Sequence, residues 1–288
     1  MTTPNGNALY WPRSFLDAWR GETVRLDGMT IQVPGTRRER LSMIAGNLRL
    51  HRLFDRYVKP GATVIDVGAN IGYNAIYAAR LAGPRGRVFA LEPTPDTLTV
   101  LRHNIAASGL ANVAIEPVAA GGSAGSCDFF IRGEISAVNS LYPDSRYASV
   151  TSVVRVPVTP LDDLVEGTVD MVKIDVEGAE LDVLEGMSRL LRADDVTLVV
   201  EWDPLHQQAA GHNPDALPHW LLARGWHLHA ASHLGIRRLA ADAVPPLRDR
   251  LIRARRPVEL LARRGPAEDQ PAGTGWPARV RLGRRDEP

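Results

Sequence analysis

The segment VIDVGANIGYNAIYAARL, Val64 to Leu81, changes its period in mid-course. It opens as a short apolar run of strand type and closes with helical spacing, and glycines at Gly68 and Gly72 stand at the join. A strand that passes so abruptly into a helix is the repeating unit of a parallel sheet, and the same alternation recurs downstream. Runs rich in Val, Ile and Leu, bounded by Gly, Pro, Asp or Asn, predict strands at 63–67, 87–92, 113–118, 169–175 and 196–202. Amphipathic patterns predict helices near 72–82, 95–108, 178–192 and 214–224. Near-continuous apolar strands separated by helices imply an α/β fold, a doubly wound and mostly parallel sheet covered on both faces. A length of 288 residues suits one such domain with extensions better than two equal domains, and a hydrophobic content of 44% is enough to fill its core.

Three parts are expected. Residues 1–40 form an N-terminal extension or cap, in which TVRLDGMTIQVPG reads as a hairpin turning at Asp27-Gly28. Residues 41–247 carry the alternating pattern, with CDFFIRG and SVVRVPVTPL adding a hairpin around a polar loop at 133–149. Residues 248–288 are rich in Arg, Pro and Gly without apolar periodicity, and are expected to form a basic, flexible tail. The single cysteine, Cys127, excludes an intramolecular disulfide and fits a reducing cytoplasm. No apolar run reaches the roughly 18 residues of a membrane span, and the first residues lack the pattern of a signal peptide. A net charge of +1 gives no reason to expect nucleic acid. The expectation is a cytoplasmic protein with a small-molecule partner, no nucleic acid and no membrane; its oligomeric state is not legible.

In a doubly wound sheet the ligand lies outside the carboxyl ends of the strands, where strand order reverses. Asp66-Val67-Gly68-Ala69-Asn70-Ile71-Gly72 occupies such an end. Gly68 permits a tight turn and close approach of a ligand, Gly72 lets the next helix pack near the sheet, and the helix N-terminus favours an anionic group. The pattern is not the G-x-G-x-x-G of dinucleotide sites. An acid two residues before the first glycine repels a pyrophosphate but accepts hydrogen bonds from an amino-acid ammonium group. Glu92, closing the strand GRVFALEP, can accept both hydroxyls of a ribose. Ammonium at the first strand and ribose at the second describe S-adenosylmethionine, and disfavour a nicotinamide oxidoreductase.

These blocks, with TPLDDL, DMVKIDVEGAELDVLEGM and HWLLARGWHLHAAS following in order, resemble the FkbM-type S-adenosylmethionine-dependent methyltransferases over roughly residues 50 to 240. The resemblance implies a Rossmann-like class I fold and O-methylation, commonly of a hydroxyl on a secondary metabolite or sugar. It implies that Asp66, Gly68, Ala69, Asn70, Gly72 and Tyr73 surround the methionine part of the cofactor. Glu92 would hold the ribose, with Pro93 directing the chain away, and Val118 and Ala119 would lie against adenine. Asn104 reads as structural. N-methylation of a small molecule or peptide, and a non-catalytic S-adenosylmethionine-binding module, are the alternatives.

A sulfonium methyl is already electrophilic, so alignment dominates the chemistry at about 7–11 kcal/mol, while a general base adds a factor of about a hundred to ten thousand. Asp175, at the end of DMVKID, reads equally well as a catalytic acceptor and as a helix cap. Lys173, on the same strand face, reads as a buried partner for an acid in the crevice. His206 is the best histidine candidate for a base; His212, His219, His227, His229 and His233 read as surface or packing residues. Asp175, Glu201 and Asp203 could hold Mg²⁺ between two strand ends, although a metal-free reaction is favoured and no metal ligand is assigned. Substrate choice is expected to rest on the N-terminal segment, the 133–149 loop with Ser140, Tyr142 and Tyr147, and the 203–216 loop.

Overall fold

The structure is a computed structural model that describes residues 23–26, 29–33, 47, 50–131, 150–232 and 235–264. A hairpin opens it, β1 (Thr23–Leu26) against β2 (Met29–Gln32), with Leu26 opposite Met29; the expected turn residues Asp27 and Gly28 lie outside the described residues. A helix, α1, follows at residues 50–57. The alternating body begins with β3 (Thr63–Val67), α2 (Tyr73–Ala82), β4 (Arg87–Leu91), α3 (Pro95–Ser108) and β5 (Val113–Glu116). Each of these elements lies within two residues of its predicted bounds. Pro95 at the first turn of α3 and Gly109 in the left-handed conformation after it supply the start and stop signals.

Next come β6 (Ala119–Ala120), β7 (Gly125–Ile131) and β8 (Ser152–Thr159). They form a separate three-stranded sheet in the order β6-β8-β7, so the predicted hairpin exists but does not extend the main sheet. The loop expected to choose the substrate, 133–149, lies outside the described residues. After α4 (Leu161–Leu164) the main sheet resumes with β9 (Met171–Ile174), α5 (Glu180–Glu185), β10 (Thr197–Trp202), α6 (Pro204–Ala209), α7 (Ala216–Ala223), β11 (His227–Ser232), β12 (Gly235–Leu239), α8 (Val244–Ala254) and β13 (Val258–Arg263). Where one helix was predicted over 178–192, α5 is a short helix followed by a single 3-10 turn at Leu190–Arg192, because Gly186 closes it.

The eight strands run in the order β12-β11-β13-β10-β9-β3-β4-β5. The five from β5 to β10 are parallel, and β13 is antiparallel to both its neighbours. Winding proceeds outward from β3 through β4 to β5, then returns to the other side of β3 at β9. The reversal point therefore lies between β3 and β9. Two cores cover the faces. Ile65, Val67, Val172, Ile174, Leu198, Val200 and Trp202 pack on one side. Val64, Met171, Val199 and Leu261 pack on the other with Leu53 and Phe54 of α1, Ile76 of α2 and Leu101 of α3.

The expected flexible tail from Arg248 is corrected as far as Arg264. Residues 244–254 are a helix, and Val258–Arg263 is an interior strand whose Leu260, Leu261 and Ala262 are fully buried. The arginines mislead because they sit on α8 and its exit, while the strand segment VELLA is short and its apolar residues are interrupted by Glu259. Residues 265–288 lie outside the described residues. The N-terminal hairpin is likewise part of the body: Met29, Ile31 and Val33 are buried in the second core, and Asn104 ties it down. Fully buried, Asn104 accepts the Gln32 amide at 2.7 Å and donates to the carbonyls of Gln32 at 3.0 Å and Ile71 at 2.8 Å. Its role is structural, as expected. Among the described residues no helix is long and apolar enough to cross a membrane.

Candidate active site

The carboxyl ends of β3, β4 and β9 converge at the reversal point. From β3 the chain enters the glycine turn, whose amides are already spent: Gly68 and Ala69 donate to the Leu91 carbonyl, Asn70 to Glu92 and Gly72 to the Ala69 carbonyl. The turn itself thus contributes shape more than donors, and the expected anion-favouring amides are those at the start of α2, from Tyr73 onward. Gly68 has φ 75°, and a Cβ there would lie 2.0 Å from the Asp175 carbonyl oxygen, so only glycine lets β9 approach. Gly72, at φ 89°, serves helix packing rather than the sheet: its Cβ would meet Leu101 of α3 at 2.5 Å. Asn70 is left-handed at φ 50°, a conformation asparagine tolerates better than most residues. Ala69 and Tyr73 are buried beside the turn.

Asp66 lies beneath the turn and not at its surface. Its carboxylate is fully buried and meets Lys173 at 3.4 Å. Burial pushes its pKa up; Lys173 and the Ala75 amide draw it back, and Asp175 adds to the rise. Lys173, itself buried, also reaches Asp175 at 3.1 Å and donates to the Gly68 carbonyl at 3.3 Å. Burial alone would lower the lysine pKa, but Asp175, Asp66 and Glu259 hold it above its ordinary value, so it stays charged. One ammonium thus locks β9 to β3 and to the turn.

Glu92 closes β4 as expected, and is 6% exposed. One carboxylate oxygen accepts from the Thr94 amide at 3.0 Å and hydroxyl at 2.5 Å; among the described residues the other accepts only from the Asn70 amide at 3.1 Å. Burial raises its pKa, opposed by those bonds and by Lys173. An acid fixed in this way, with acceptor capacity left on one oxygen, fits a ribose diol. Pro93 is partly buried behind it. Val118 and Ala119 both follow β5: Ala119 opens the small sheet by pairing with Val158, while Val118, just before it, packs on the first core. Replacing Glu92 with alanine removes a charged acceptor worth about 1.5–3 kcal/mol. Calorimetry is expected to show S-adenosylmethionine binding roughly ten- to a hundredfold weaker; unchanged affinity would move the ribose elsewhere.

Every polar residue of K-I-D-V-E-G-A-E, 173–180, has a distinct task. Asp175 is 31% exposed and paired with Lys173; among the described residues the capping amides go to Glu180 instead, which accepts Gly178 at 3.1 Å and Val176 at 3.4 Å. Burial raises the Glu180 pKa to about 7, the Gly178 amide opposing, and Gln207 of α6 donates to its other oxygen at 2.5 Å. Gly178, at φ 111°, lets α6 pack close, since a Cβ would lie 2.9 Å from the His206 carbonyl oxygen. Glu177 adopts φ 55°, a strained conformation for a glutamate. That strain aims its carboxylate at His206 Nδ1, 2.5 Å away.

His206 is held by Glu177, not left open to the crevice. Burial would depress its pKa, but the Glu177 hydrogen bond and charge, with Asp203 and Glu180, raise it to about 9. Asp203 caps α6 through the Leu205 amide at 2.8 Å and lies 3.6 Å from the imidazole. The expected metal set of Asp175, Glu201 and Asp203 is not brought together as such. Glu177, Glu201 and His206 converge instead, one ligand atom from each lying within 4.8 Å of the others. Sequence reasoning missed Glu177 as more than a complement to the helix dipole, and missed Glu259 by assigning it to the tail.

A parallel sheet wound both ways from β3, with an antiparallel strand let in beyond β10, is the Rossmann-like arrangement of the class I methyltransferases. The chain belongs to the FkbM methyltransferase family: the Methyltransferase FkbM domain matches residues 66–228, more than half of its length. The cofactor that goes with this family is S-adenosylmethionine. Among curated relatives, the hexuronic acid methyltransferase AglP of Haloferax volcanii is 32% identical over 164 residues, covering 56% of this chain and 64% of that protein. Methyltransferase 1 of Beauveria bassiana is 26% identical over 144 residues, covering 43% and 57%. The chain thus spans less than two-thirds of the length of either relative. The structure of a Methyltransferase FkbM from Methylobacillus flagellatus aligns over 77% of this chain and 60% of that one, at 14% identity and a TM-score of 0.43.

Proposed function

We propose that this protein transfers a methyl group from S-adenosylmethionine to a hydroxyl of a sugar or secondary metabolite, with Asp175 as proton acceptor. The observation that carries the reading is the contact of Gly68 with Asp175. The cofactor turn and the end of β9 meet without room for a side chain between them, and the partly exposed Asp175 carboxylate stands at that junction. Asp66, Gly68, Ala69, Asn70, Gly72 and Tyr73 would hold the methionine portion, with Asp66 acting through Lys173 rather than by direct contact. Glu92 would hold the ribose, and Val118 and Ala119 the adenine side. Bound S-adenosylmethionine supplies a methyl group activated by its sulfonium, and the electrons of the broken carbon–sulfur bond stay on sulfur. The chain's own part is to align the hydroxyl oxygen with that methyl carbon, exclude water, and receive the hydroxyl proton on Asp175. Lys173, fixed on the other side of Asp175, orients the carboxylate. A sugar acceptor is supported by the likeness to the hexuronic acid enzyme of Haloferax.

The test is incubation of the full chain with labelled S-adenosylmethionine and an extract of sugars and metabolites. A product one methylene heavier is expected. Asp175→Asn should lower turnover by about a hundredfold or more, within the general-base range, while cofactor affinity stays within about twofold. Full turnover by Asp175→Asn would remove its role. Cofactor binding with no turnover on any acceptor would leave a binding module.

A further inference from the structure

We propose that Glu177, Glu201 and His206 bind a divalent transition-metal cation, of the class of Mn²⁺ or Zn²⁺, beside the cofactor crevice. Three separate elements deliver these side chains: the bend after β9, the end of β10 and the first turn of α6. Their ligand atoms already lie within 4.8 Å of one another, a span that modest side-chain rotation closes onto one ion with metal–ligand distances of about 2.0–2.2 Å.

The charge distribution at the ends of β9, β10 and β13 gives an independent reason. Lys173 answers Asp66 and Asp175. Glu180 is held by Gln207 and by the amides of Val176 and Gly178, and Asp203 by the Leu205 amide. Glu201 is partly buried, and among the described residues no hydrogen bond or ion pair reaches its carboxylate. The strand register then sets Glu259 of β13 directly opposite Glu201. Like charges facing each other across adjacent strands repel. Two acids on neighbouring interior strands, beside a Glu177 answered among the described residues only by the protonated His206, define a position where a metal ion can take the place of the imidazole proton.

The donor set selects the kind of cation. Mg²⁺ prefers oxygen ligands and retains its waters, whereas one imidazole with two carboxylates suits Mn²⁺ or Zn²⁺ better. Three protein ligands leave coordination positions open, and those positions would face the crevice that Asp175 also borders. The inference stands on these side chains and does not require the methyl acceptor to be known.

The full chain, stripped with chelator and dialysed, is titrated with Mn²⁺ by loss of the free-ion paramagnetic resonance signal, and with Zn²⁺ and Mg²⁺ by calorimetry. S-adenosylmethionine affinity is measured on the same preparation. Expected are one Mn²⁺ per chain and Mg²⁺ binding at least about tenfold weaker. Glu201→Gln and Glu177→Gln should each lower Mn²⁺ affinity by about tenfold or more, with cofactor affinity unchanged. Because Glu177 is conformationally strained, its variant could unfold; Glu201→Gln, which only neutralises an unpaired acid, then decides alone. No stoichiometric binding of Mn²⁺ or Zn²⁺, or binding unchanged in Glu201→Gln, overturns the proposal. Cofactor binding without metal binding would sink this inference alone; metal binding without cofactor binding would sink the methyl-transfer reading instead.

Discussion

A chain ending at Arg256 is expected not to reach the folded state. The deletion removes β13, which forms one long seam with β10, Leu198 to Trp202 against Val258 to Ala262, and another with β11. Val258, Leu260 and Leu261 are buried, and at roughly 1.5–3 kcal/mol each their burial alone matches much of the stability of an ordinary domain, about 5–15 kcal/mol. Without β13, β10 and β11 face each other across a missing strand, and each bares a row of unpaired amides and carbonyls. Circular dichroism and limited proteolysis should show no cooperative melting and rapid digestion. A truncated chain melting within a few degrees of the full one would show that β13 is not part of the stable sheet.

The second large effect falls on Lys173. Lys173→Met keeps the length and apolar stem of the side chain but leaves Asp66 at zero exposure without its cation. Breaking a buried pair from one side costs about 3–5 kcal/mol, which for a domain of this size is a fall in melting temperature of roughly 6–20 °C. The same change frees Asp175 and the Gly68 carbonyl from their shared tether, so cofactor affinity should fall as well. Adding Asp66→Asn to Lys173→Met removes the stranded charge and should recover most of the stability, but not the placement of Asp175. Stability unaffected by Lys173→Met would mean that the ammonium contributes nothing net and that Asp66 is accommodated in another way.

Most of the parallel sheet could be read in the sequence because its strands are buried on both faces and are dominated by Val, Ile and Leu, with a single acid in each of TVIDV and TLVVEW. Cofactor residues could be read where chemistry demanded a residue type, as with Glu92 and Gly68. The partnerships were harder. That Asp66 belongs to Lys173, over a hundred residues away, follows only from the placing of β9 beside β3, and the choice of Glu177 over Asp175 as partner of His206 depends on a left-handed backbone at one position. Periodicity carries no sign of either. Arg253, Arg255 and Arg256 hid β13 by preceding with charge a run of only four apolar residues broken by Glu259, and a composition window averages such a strand away.

The strand that completes the sheet is also the latest of its strands in the chain. As the polypeptide leaves the ribosome, the open edge of β10 must wait for more than fifty further residues before its neighbour emerges, roughly three to ten seconds at 5–20 residues per second. During that interval a flat apolar edge is exposed, the kind that pairs with strands of other chains. The nascent protein therefore passes through a vulnerable state set by topology alone, and slow translation or early termination past Trp202 would turn that exposure into aggregation.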